Sequence, residues 1–158
     1  FFLFAIVFTC YQAGFEEVLF RGYIVQGLSL IASNKLLLVL ISSVLFTVVH
    51  LGNPEPYEYG FGAYVTAMMI YAVFFSALTL IDGGIELAVG FHSINNLWIA
   101  LVANTHVTAL PTPSLFIVPM DNTSLIAHLP IQGVAFALIF AVLNHKYKWF
   151  EWNELFDS

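Results

Sequence analysis

The stretch from Phe61 to Ile81 runs for 21 residues without an Asp, Glu, Lys, Arg or His. A membrane span takes about 20 predominantly apolar residues, because a helix rises only about 1.5 Å per residue across the hydrocarbon core. The whole chain has the same character, with 60% hydrophobic and 9% charged residues, whereas soluble domains carry about 25% charged residues. The sequence therefore predicts an integral membrane protein embedded in the lipid bilayer. Its net charge of −6 argues against nucleic-acid binding, which needs a basic face.

Five apolar segments are predicted to be helical, with turn signals such as Asp82-Gly83-Gly84 between them. They run from about Phe1 to Leu30, Leu36 to His50, Phe61 to Ile81, Ile85 to Asn104 and Leu125 to Asn144. The predicted fold class is all-α, a polytopic transmembrane helix bundle with its active site between helices within the bilayer. We expect one domain, 1–158. Because the chain starts without a Met or a basic flank, we also expect further spans upstream.

Three lysines indicate the orientation of the bundle. Lys35, Lys146 and Lys148 fall on one side when five helices are counted, and the two loops on the other side contain no Lys or Arg. The positive-inside tendency makes the lysine side cytoplasmic. The tail HKYKWFEWNELF has the mixture of Trp, Lys and Glu typical of an interfacial segment. The expected location is the cell membrane of a bacterium or archaeon.

Three ionisable residues interrupt the first apolar segment, namely Glu16, Glu17 and Arg21. Ionisable residues at membrane depth are costly and usually functional. Glu17 and Arg21 are four residues apart and share a helix face, so they can form an ion pair. Glu16 points roughly 140° away from Arg21, because each helical residue turns by about 100°. The spacing therefore predicts one neutralised carboxylate and one freer carboxylate, although an ion pair that only fixes helix packing is the simpler alternative.

Polar residues also lie in two other predicted helices. His50 ends the second helix, while His92 and Asn96 are four apart on one face of the fourth. A lone His on an apolar helix is more often a hydrogen-bonded packing residue than a catalyst. Helical rise nevertheless places these three side chains and Glu16 within about 10 Å of one another in depth, so a single shared site is possible. Asn95 is more simply explained by packing or by a hydrogen bond behind the site. The aromatic residues of the third helix are most simply lipid or helix contacts, with the lining of a groove for a hydrophobic substrate as the alternative.

The three clusters match three short motifs. They are Glu-Glu-x-x-x-Arg from Glu16 to Arg21, Phe-x-x-x-His from Phe46 to His50 and His-x-x-x-Asn from His92 to Asn96. In this order on hydrophobic helices, they resemble the CAAX prenyl protease and bacteriocin-processing family of intramembrane proteases, also called CPBP or Abi. The resemblance covers about Gly14 to Leu97.

The resemblance implies a role for each motif residue. Glu16 would be the general base that activates water, with assistance from His50. Arg21 and Glu17 would hold and tune the carboxylate. The implied activity is that of an intramembrane endopeptidase, a hydrolase. Its substrate would be a hydrophobic peptide or protein, or a prenylated one of the CAAX-processing type.

For the remaining two motif residues, His92 and Asn96, the resemblance implies binding of the oxyanion. The chemistry is consistent with this, since peptide hydrolysis needs a base for water and donors for the developing negative charge. A zinc site made by Glu16, His50 and His92, with Glu17 as base, is the competing design. Asn96 is a poor zinc ligand, so we favour a metal-free mechanism without a cofactor, and zinc remains an alternative.

Other functions are compatible with part of the pattern. The chain contains no HExxH and no GxSxG motif, which leaves the Glu and His residues as its catalytic candidates. A non-catalytic membrane immunity or scaffold protein would use the same fold for partner binding. A transporter or proton relay would also use buried Glu and His, but the third helix has no titratable group except Tyr.

Overall fold

A computed structural model describes residues 1–149, which form a bundle of helices with one small sheet. The helical elements are α1 (Phe2–Glu17), a π-helical segment (Val18–Ile24), α2 (Val25–Ser29), α3 (Lys35–His50), α4 (Glu55–Glu58), α5 (Phe61–Asp82), α6 (Glu86–Leu101) and α7 (Asn122–Tyr147). The strands are β1 (Ala103–Thr105) and β2 (Phe116–Val118). The predicted all-α bundle is confirmed. The predicted interfacial tail falls mainly on residues 150–158, outside the described residues.

The first helix is continuous from Phe2 to Ser29 but changes its hydrogen-bond pattern in the middle. α1 ends at Glu17, and the π-helical segment that follows contains Arg21. A π-helical turn widens the helix and is often found at functional sites. Both glutamates therefore lie in the last turn of regular α-helix, directly before the widened segment.

Helix length separates the elements into two classes. Three helices are long and apolar enough to cross a membrane, namely Phe2–Ser29, Phe61–Asp82 and Asn122–Tyr147. α3 and α6 have only 16 residues each, which corresponds to about 24 Å of helix against a hydrocarbon core of about 30 Å. The two short helices carry His50, His92 and Asn96.

The fourth predicted helix extends too far. α6 ends at Leu101, and Asn104 lies in β1, which pairs in parallel with β2. The Asn104 amide donates to the Leu110 carbonyl at 2.8 Å, and its Oδ1 accepts from the Thr105 amide at 2.8 Å. Such local side-chain bonds offer the backbone an alternative to helix, so Asn104 stabilises a turn after the strand instead of extending α6.

The last helix begins earlier than predicted, at Asn122. Asp121 caps it by accepting a 2.7 Å hydrogen bond from the Ser124 amide, while the Ser124 hydroxyl accepts from the Asp121 amide at 2.8 Å. This capping box satisfies free N–H groups of the first turn. The Ser124 amide is also the main reason why the pKa of Asp121 is lowered.

The ends of the helices define two sides of the bundle. On one side, the Tyr59 hydroxyl donates to the Val107 carbonyl at 2.8 Å, which joins the two loops that contain no Lys or Arg. On the other side, the Trp149 indole donates to Asp82 at 3.1 Å and places the end of α7 beside the turn after α5. We call the first the loop side. That the opposite side faces the cytoplasm stays a prediction.

Candidate active site

The predicted site residues come from three separate helices and meet inside the bundle. Glu16, Glu17 and Arg21 lie on the first helix, His50 is the last residue of α3, and His92 and Asn96 lie on α6. Ion-pair distances connect Glu16 with both imidazoles and Glu17 with Arg21 and His92. Asn96 lines the same cavity as Glu16. The geometry thus brings together residues that are up to 80 positions apart in sequence.

Glu17 and Arg21 form a fully buried ion pair. Arg21 Nη1 donates to Glu17 Oε1 at 3.2 Å, and neither side chain is exposed. The Arg21 guanidinium lies 4.2 Å from the centre of the Phe46 ring and donates to the Ala72 carbonyl at 3.3 Å. This is the i, i+4 pair that the helical spacing predicts, and it is held further by cation–π contact and a carbonyl.

His92 is bound directly to the same carboxylate. Its Nδ1 lies 2.7 Å from Glu17 Oε1, and its ring stacks on Phe75 with 5.4 Å between ring centres. An ionised carboxylate can only accept hydrogen bonds, so Nδ1 carries a proton and donates a hydrogen bond to Glu17. The two contacts fix the tautomer and the plane of the imidazole, and they direct Nε2 away from Glu17.

Glu16 occupies the position in front of this buried group. Its Oε2 lies 3.7 Å from His92 Nε2 and 3.9 Å from His50 Nε2. Its other oxygen, Oε1, accepts from the Gln12 amide at 3.2 Å. Oε2 is buried and has no hydrogen-bond donor among the residues that the structure describes. Separations near 3.8 Å are too long for direct hydrogen bonds but short enough for one bridging water.

His50 is oriented by its own helix. Its Nδ1 lies 2.7 Å from the Phe46 carbonyl, and its ring packs on the Phe46 ring with centres 4.2 Å apart. A carbonyl accepts, so Nδ1–H donates and Nε2 of the neutral ring keeps its lone pair. Both imidazoles consequently turn Nε2 towards Glu16 Oε2.

Asn96 is oriented by a short chain of hydrogen bonds that begins on α5. The Tyr71 hydroxyl donates to Asn95 Oδ1 at 3.0 Å, and Asn95 Nδ2 donates to Asn96 Oδ1 at 3.3 Å. Because its oxygen accepts from Asn95, Asn96 retains Nδ2 as a donor. Asn95 thus supports Asn96 by a hydrogen bond, which is one of the two roles expected from the sequence.

A cavity of about 510 Å³ gives access to these groups from the loop side. Glu16, His50, His92 and Asn96 line it, whereas Glu17 and Arg21 lie behind its wall. Most of the remaining lining is apolar and aromatic, namely Phe15, Leu19, Phe20, Phe46, Val49, Met68, Tyr71, Phe75, Ile99, Ala109 and Leu110. The cavity therefore suits an extended apolar chain that passes next to Glu16.

Sequence reasoning missed three contributors to the site. Gln12 lies four residues before Glu16, and this spacing on a helix was a usable signal. Tyr71 and Phe75 were predicted to be helix or lipid contacts, with a groove lining as the alternative. Both line the cavity, and Phe75 is only 2% exposed and stacks on His92. The predicted third helix, from Phe61 to Ile81, has no charged residue, so its sequence gives no sign of which face meets the Glu and His side chains of the site.

The donor set of the zinc alternative is Glu16, His50 and His92. Glu16 lies near each imidazole at the distances given above. In residues 1–149, no group of three or more His, Cys, Asp or Glu side chains is arranged to hold a metal ion. The arrangement therefore provides proton acceptors and donors around one carboxylate oxygen, and the zinc alternative calls for a separate experiment.

Comparisons with known proteins agree with the motifs. Residues 1–98 match the family model described as type II CAAX prenyl endopeptidase Rce1-like. The chain is also 30% identical over 122 residues to the uncharacterized protein YyaK of Bacillus subtilis (strain 168). That alignment covers 75% of this chain and 40% of YyaK, so the chain spans less than half the length of this relative. No solved structure matches.

The matched residues include all six predicted site residues, because the last of them is Asn96. The match also covers the first helix, α3 and α5, on which the site and its cavity are built. The resemblance found in the sequence is thus confirmed. The chain belongs to the type II CAAX prenyl endopeptidase Rce1-like family.

Proposed function

We propose that this chain is the catalytic core of an intramembrane endopeptidase that hydrolyses a peptide bond in a hydrophobic or prenylated, CAAX-type substrate. One observation carries the proposal. Glu16 Oε2 is buried at the wall of an apolar cavity and faces the Nε2 atoms of His92 and His50 at 3.7 and 3.9 Å. In this arrangement a carboxylate and an imidazole can each accept a hydrogen bond from one water molecule.

The first step is activation of water. A water between Glu16 Oε2 and His50 Nε2 donates one hydrogen bond to each, since both atoms are acceptors. Glu16 takes one proton as the water oxygen attacks the carbonyl carbon of the substrate. Gln12 supports this step by holding Oε1, which leaves Oε2 turned towards the water.

The second requirement is a set of donors for the oxyanion. Asn96 Nδ2 can donate without changing its charge. His92 can donate from Nε2 when both of its nitrogens carry protons, and the Nδ1 contact to Glu17 stabilises that imidazolium. When the tetrahedral intermediate collapses, the C–N bond breaks and the proton held by Glu16 passes to the leaving amine. The products are a carboxylic acid and an amine, which balances the consumed water.

Glu17 and Arg21 act behind the cavity wall in this proposal. Arg21 balances the charge of Glu17, and Glu17 in turn fixes His92. Neither lines the cavity, so they position the reacting groups without touching the substrate. This division agrees with the helical spacing, which assigns Arg21 to Glu17 and leaves Glu16 free to act.

The apolar lining and the family together support the substrate class. Aromatic and aliphatic side chains suit a hydrophobic peptide or a prenyl group, and the family is named for endopeptidases that act on CAAX prenyl substrates. The similarity to a Bacillus subtilis protein supports a bacterial membrane as the location.

The proposal is tested with purified protein in detergent or proteoliposomes. A farnesylated CAAX peptide and an unprenylated hydrophobic peptide serve as substrates for wild type, Glu16→Gln, His50→Ala and His92→Ala. Removing a general base lowers the rate by about 10²- to 10⁴-fold, so we expect at least a hundredfold loss for Glu16→Gln. The exposed Glu58→Gln is the control and should retain full activity.

Two outcomes would contradict the proposal. Equal activity in all variants would show that these residues do not form the site. An inactive wild type on every peptide would favour the non-catalytic immunity or scaffold alternative.

For the metal question, cleavage is repeated after treatment with 1,10-phenanthroline and bound zinc is measured. The metal-free mechanism predicts unchanged turnover without bound metal, and the zinc alternative predicts loss of turnover that added zinc restores.

A further inference from the structure

The loop-side mouth of the cavity contains a polar group that the proposed chemistry does not use. Asn53, Glu55 and Tyr64 line the cavity there, next to Thr108 and Ala109. The Tyr64 hydroxyl accepts from Asn53 Nδ2 at 3.1 Å and donates to the His50 carbonyl at 3.4 Å. The mouth is thus connected by hydrogen bonds to the end of the helix that carries His50.

One oxygen of Glu55 is held, and the other remains without a donor. Oε1 accepts a 2.7 Å hydrogen bond from the Ala109 amide, which attaches α4 to the loop before β2. Oε2 is buried and has no hydrogen-bond partner within residues 1–149. A buried carboxylate oxygen without a protein donor is costly, and a donor that reaches it through the mouth, after a small movement of the Glu55 side chain, would reduce this cost.

Apart from its two histidines, the cavity is lined by acidic but not by basic side chains of residues 1–149. Its acidic lining residues are Glu16 and Glu55, and none of the chain's four Lys and Arg residues lines it in the part that the structure describes. Arg21 is paired with Glu17 behind the wall. The two histidines, His50 and His92, face Glu16. A peptide carboxylate at the mouth would therefore meet Glu55 without a balancing cation, whereas an ammonium or guanidinium group would be attracted.

We infer that Glu55 is a specificity-determining residue that binds a basic side chain of the substrate, Lys or Arg, on the segment leading out of the loop-side mouth. The inference rests on the proposed function, because it takes the cavity to be the substrate site. A charge-assisted hydrogen bond from that side chain to Oε2 would satisfy the unpaired oxygen. Within the proposed substrate class, the inference favours hydrophobic peptides that are cut internally next to a basic residue. It disfavours peptides whose free C-terminal carboxylate would lie at this mouth.

Binding is measured separately from cleavage, so that the two proposals can fail independently. Glu16→Gln protein is placed in nanodiscs of uncharged phosphatidylcholine. The probes are fluorescent Leu/Ala dodecapeptides with an amidated C-terminus and a single Lys, Gln or Glu at each position in turn. A second set ends in a free carboxylate. Kd is obtained from fluorescence anisotropy after subtraction of the signal from empty nanodiscs.

We expect a position at which the Lys peptide binds about tenfold more tightly than the Gln peptide, and the Glu peptide more weakly still, as a charge-assisted hydrogen bond predicts. Adding Glu55→Gln should abolish the difference while keeping the acceptor for the Ala109 amide. Adding Glu55→Lys should reverse it. The matched control is Glu58→Gln, because Glu58 lies on the same short helix and is exposed, and it should keep the preference.

Equal Kd values for Lys, Gln and Glu at every position would overturn the inference, as would binding of no peptide or a preference that survives Glu55→Gln. Tighter binding of the free-carboxylate set would also overturn it. None of these results depends on turnover. A wild type that cleaves peptides without a charge preference leaves the proposed function standing. A Lys preference in a protein without protease activity removes the proposed function and leaves Glu55 as a residue that binds a basic group.

Discussion

α6 and α7 are consecutive helices in the sequence, and the more polar of the two is the more buried. α6 buries polar side chains inside the bundle, whereas the apolar α7 lies on its outside. α7 has a mean hydropathy of 2.1 over its most apolar window, and none of that window is buried inside the bundle. α6 is shorter, with 16 residues, and its buried residues include His92, Ser93 and Asn96. In a water-soluble bundle the more apolar helix would be the more buried one.

The membrane explains this inversion. Lipid chains are as apolar as Leu, so α7 gains little from burying an apolar face. A polar group without a partner in hydrocarbon is costly, so the polar residues of α6 and the first helix are directed towards each other. Among the described contacts, α7 packs Phe136 on Phe74 at 4.2 Å and donates from Gln132 to the Ala67 carbonyl. Substitutions at the site should therefore cost far more than similar changes on α7.

The largest effect is expected for Arg21→Met. This change leaves Glu17 buried with one donor fewer and an uncompensated charge, and removing one partner of a buried pair typically costs about 3–5 kcal/mol. Thermal or denaturant unfolding in detergent measures the loss. Lys35→Met is the control, since Lys35 is exposed and should change stability by less than about 0.5 kcal/mol.

A second variant tests whether the unpaired charge of Glu17 causes the loss of stability. Glu17→Gln combined with Arg21→Met removes both charges, so part of the lost stability should return, because the unpaired charge is gone. Activity should not return, since a neutral amide in place of the Glu17 carboxylate cannot stabilise an imidazolium at His92. If the double variant were less stable than Arg21→Met alone, the pair would not be the main electrostatic contact in this part of the bundle.

Gln12→Leu should have the next largest effect. Gln12 donates to Glu16 Oε1 at 3.2 Å, and a typical hydrogen bond contributes about 0.5–1.5 kcal/mol. Without it, Glu16 can rotate its carboxylate away from the two imidazoles. We expect kcat to fall about tenfold with little change in KM. Gln12→Asn, which is too short to reach, should resemble Leu; full activity in both variants would show that Glu16 needs no such support.

Tyr71→Phe should give a smaller effect of the same kind. The hydroxyl of Tyr71 orients Asn95, which orients Asn96, so the substitution acts through two other side chains. A loss of about fivefold in kcat is expected, within the range of one indirect hydrogen bond. Tyr11→Phe is the matched control, because Tyr11 is 75% exposed and does not line the cavity. A change in KM alone would instead assign Tyr71 to substrate binding.

Most of the fold and part of the site could be predicted from the sequence. Apolar composition and the turn residues between segments identify the five main helices, since lipid requires each backbone group to be satisfied within its own segment. The helical period predicts the Glu17–Arg21 pair, and helical rise predicts that Glu16, His50 and His92 share a depth. These properties depend on local geometry, which one helix defines by itself.

The remaining features depend on how the helices rotate against each other. The 2.7 Å contact between His92 and Glu17 was not predicted, because spacing gives the face of a helix but not the neighbour that it meets. The chain from Tyr71 to Asn96 crosses from α5 to α6 for the same reason. The end of α6 before Asn104 was missed because local side-chain bonds decide it.

The smallest effect is expected on α7, for Leu138→Ala. Leu138 is 62% exposed, so its methyl groups mostly contact lipid, which replaces them without leaving a cavity. We expect a change in stability below about 0.5 kcal/mol and unchanged cleavage. The same substitution at Leu78 of α5, which is 0% exposed, should cost about 2–5 kcal/mol because a cavity remains. Equal losses of stability at both positions would mean that α7 packs against protein on this face. α6 and α7 would then differ in polarity but not in burial.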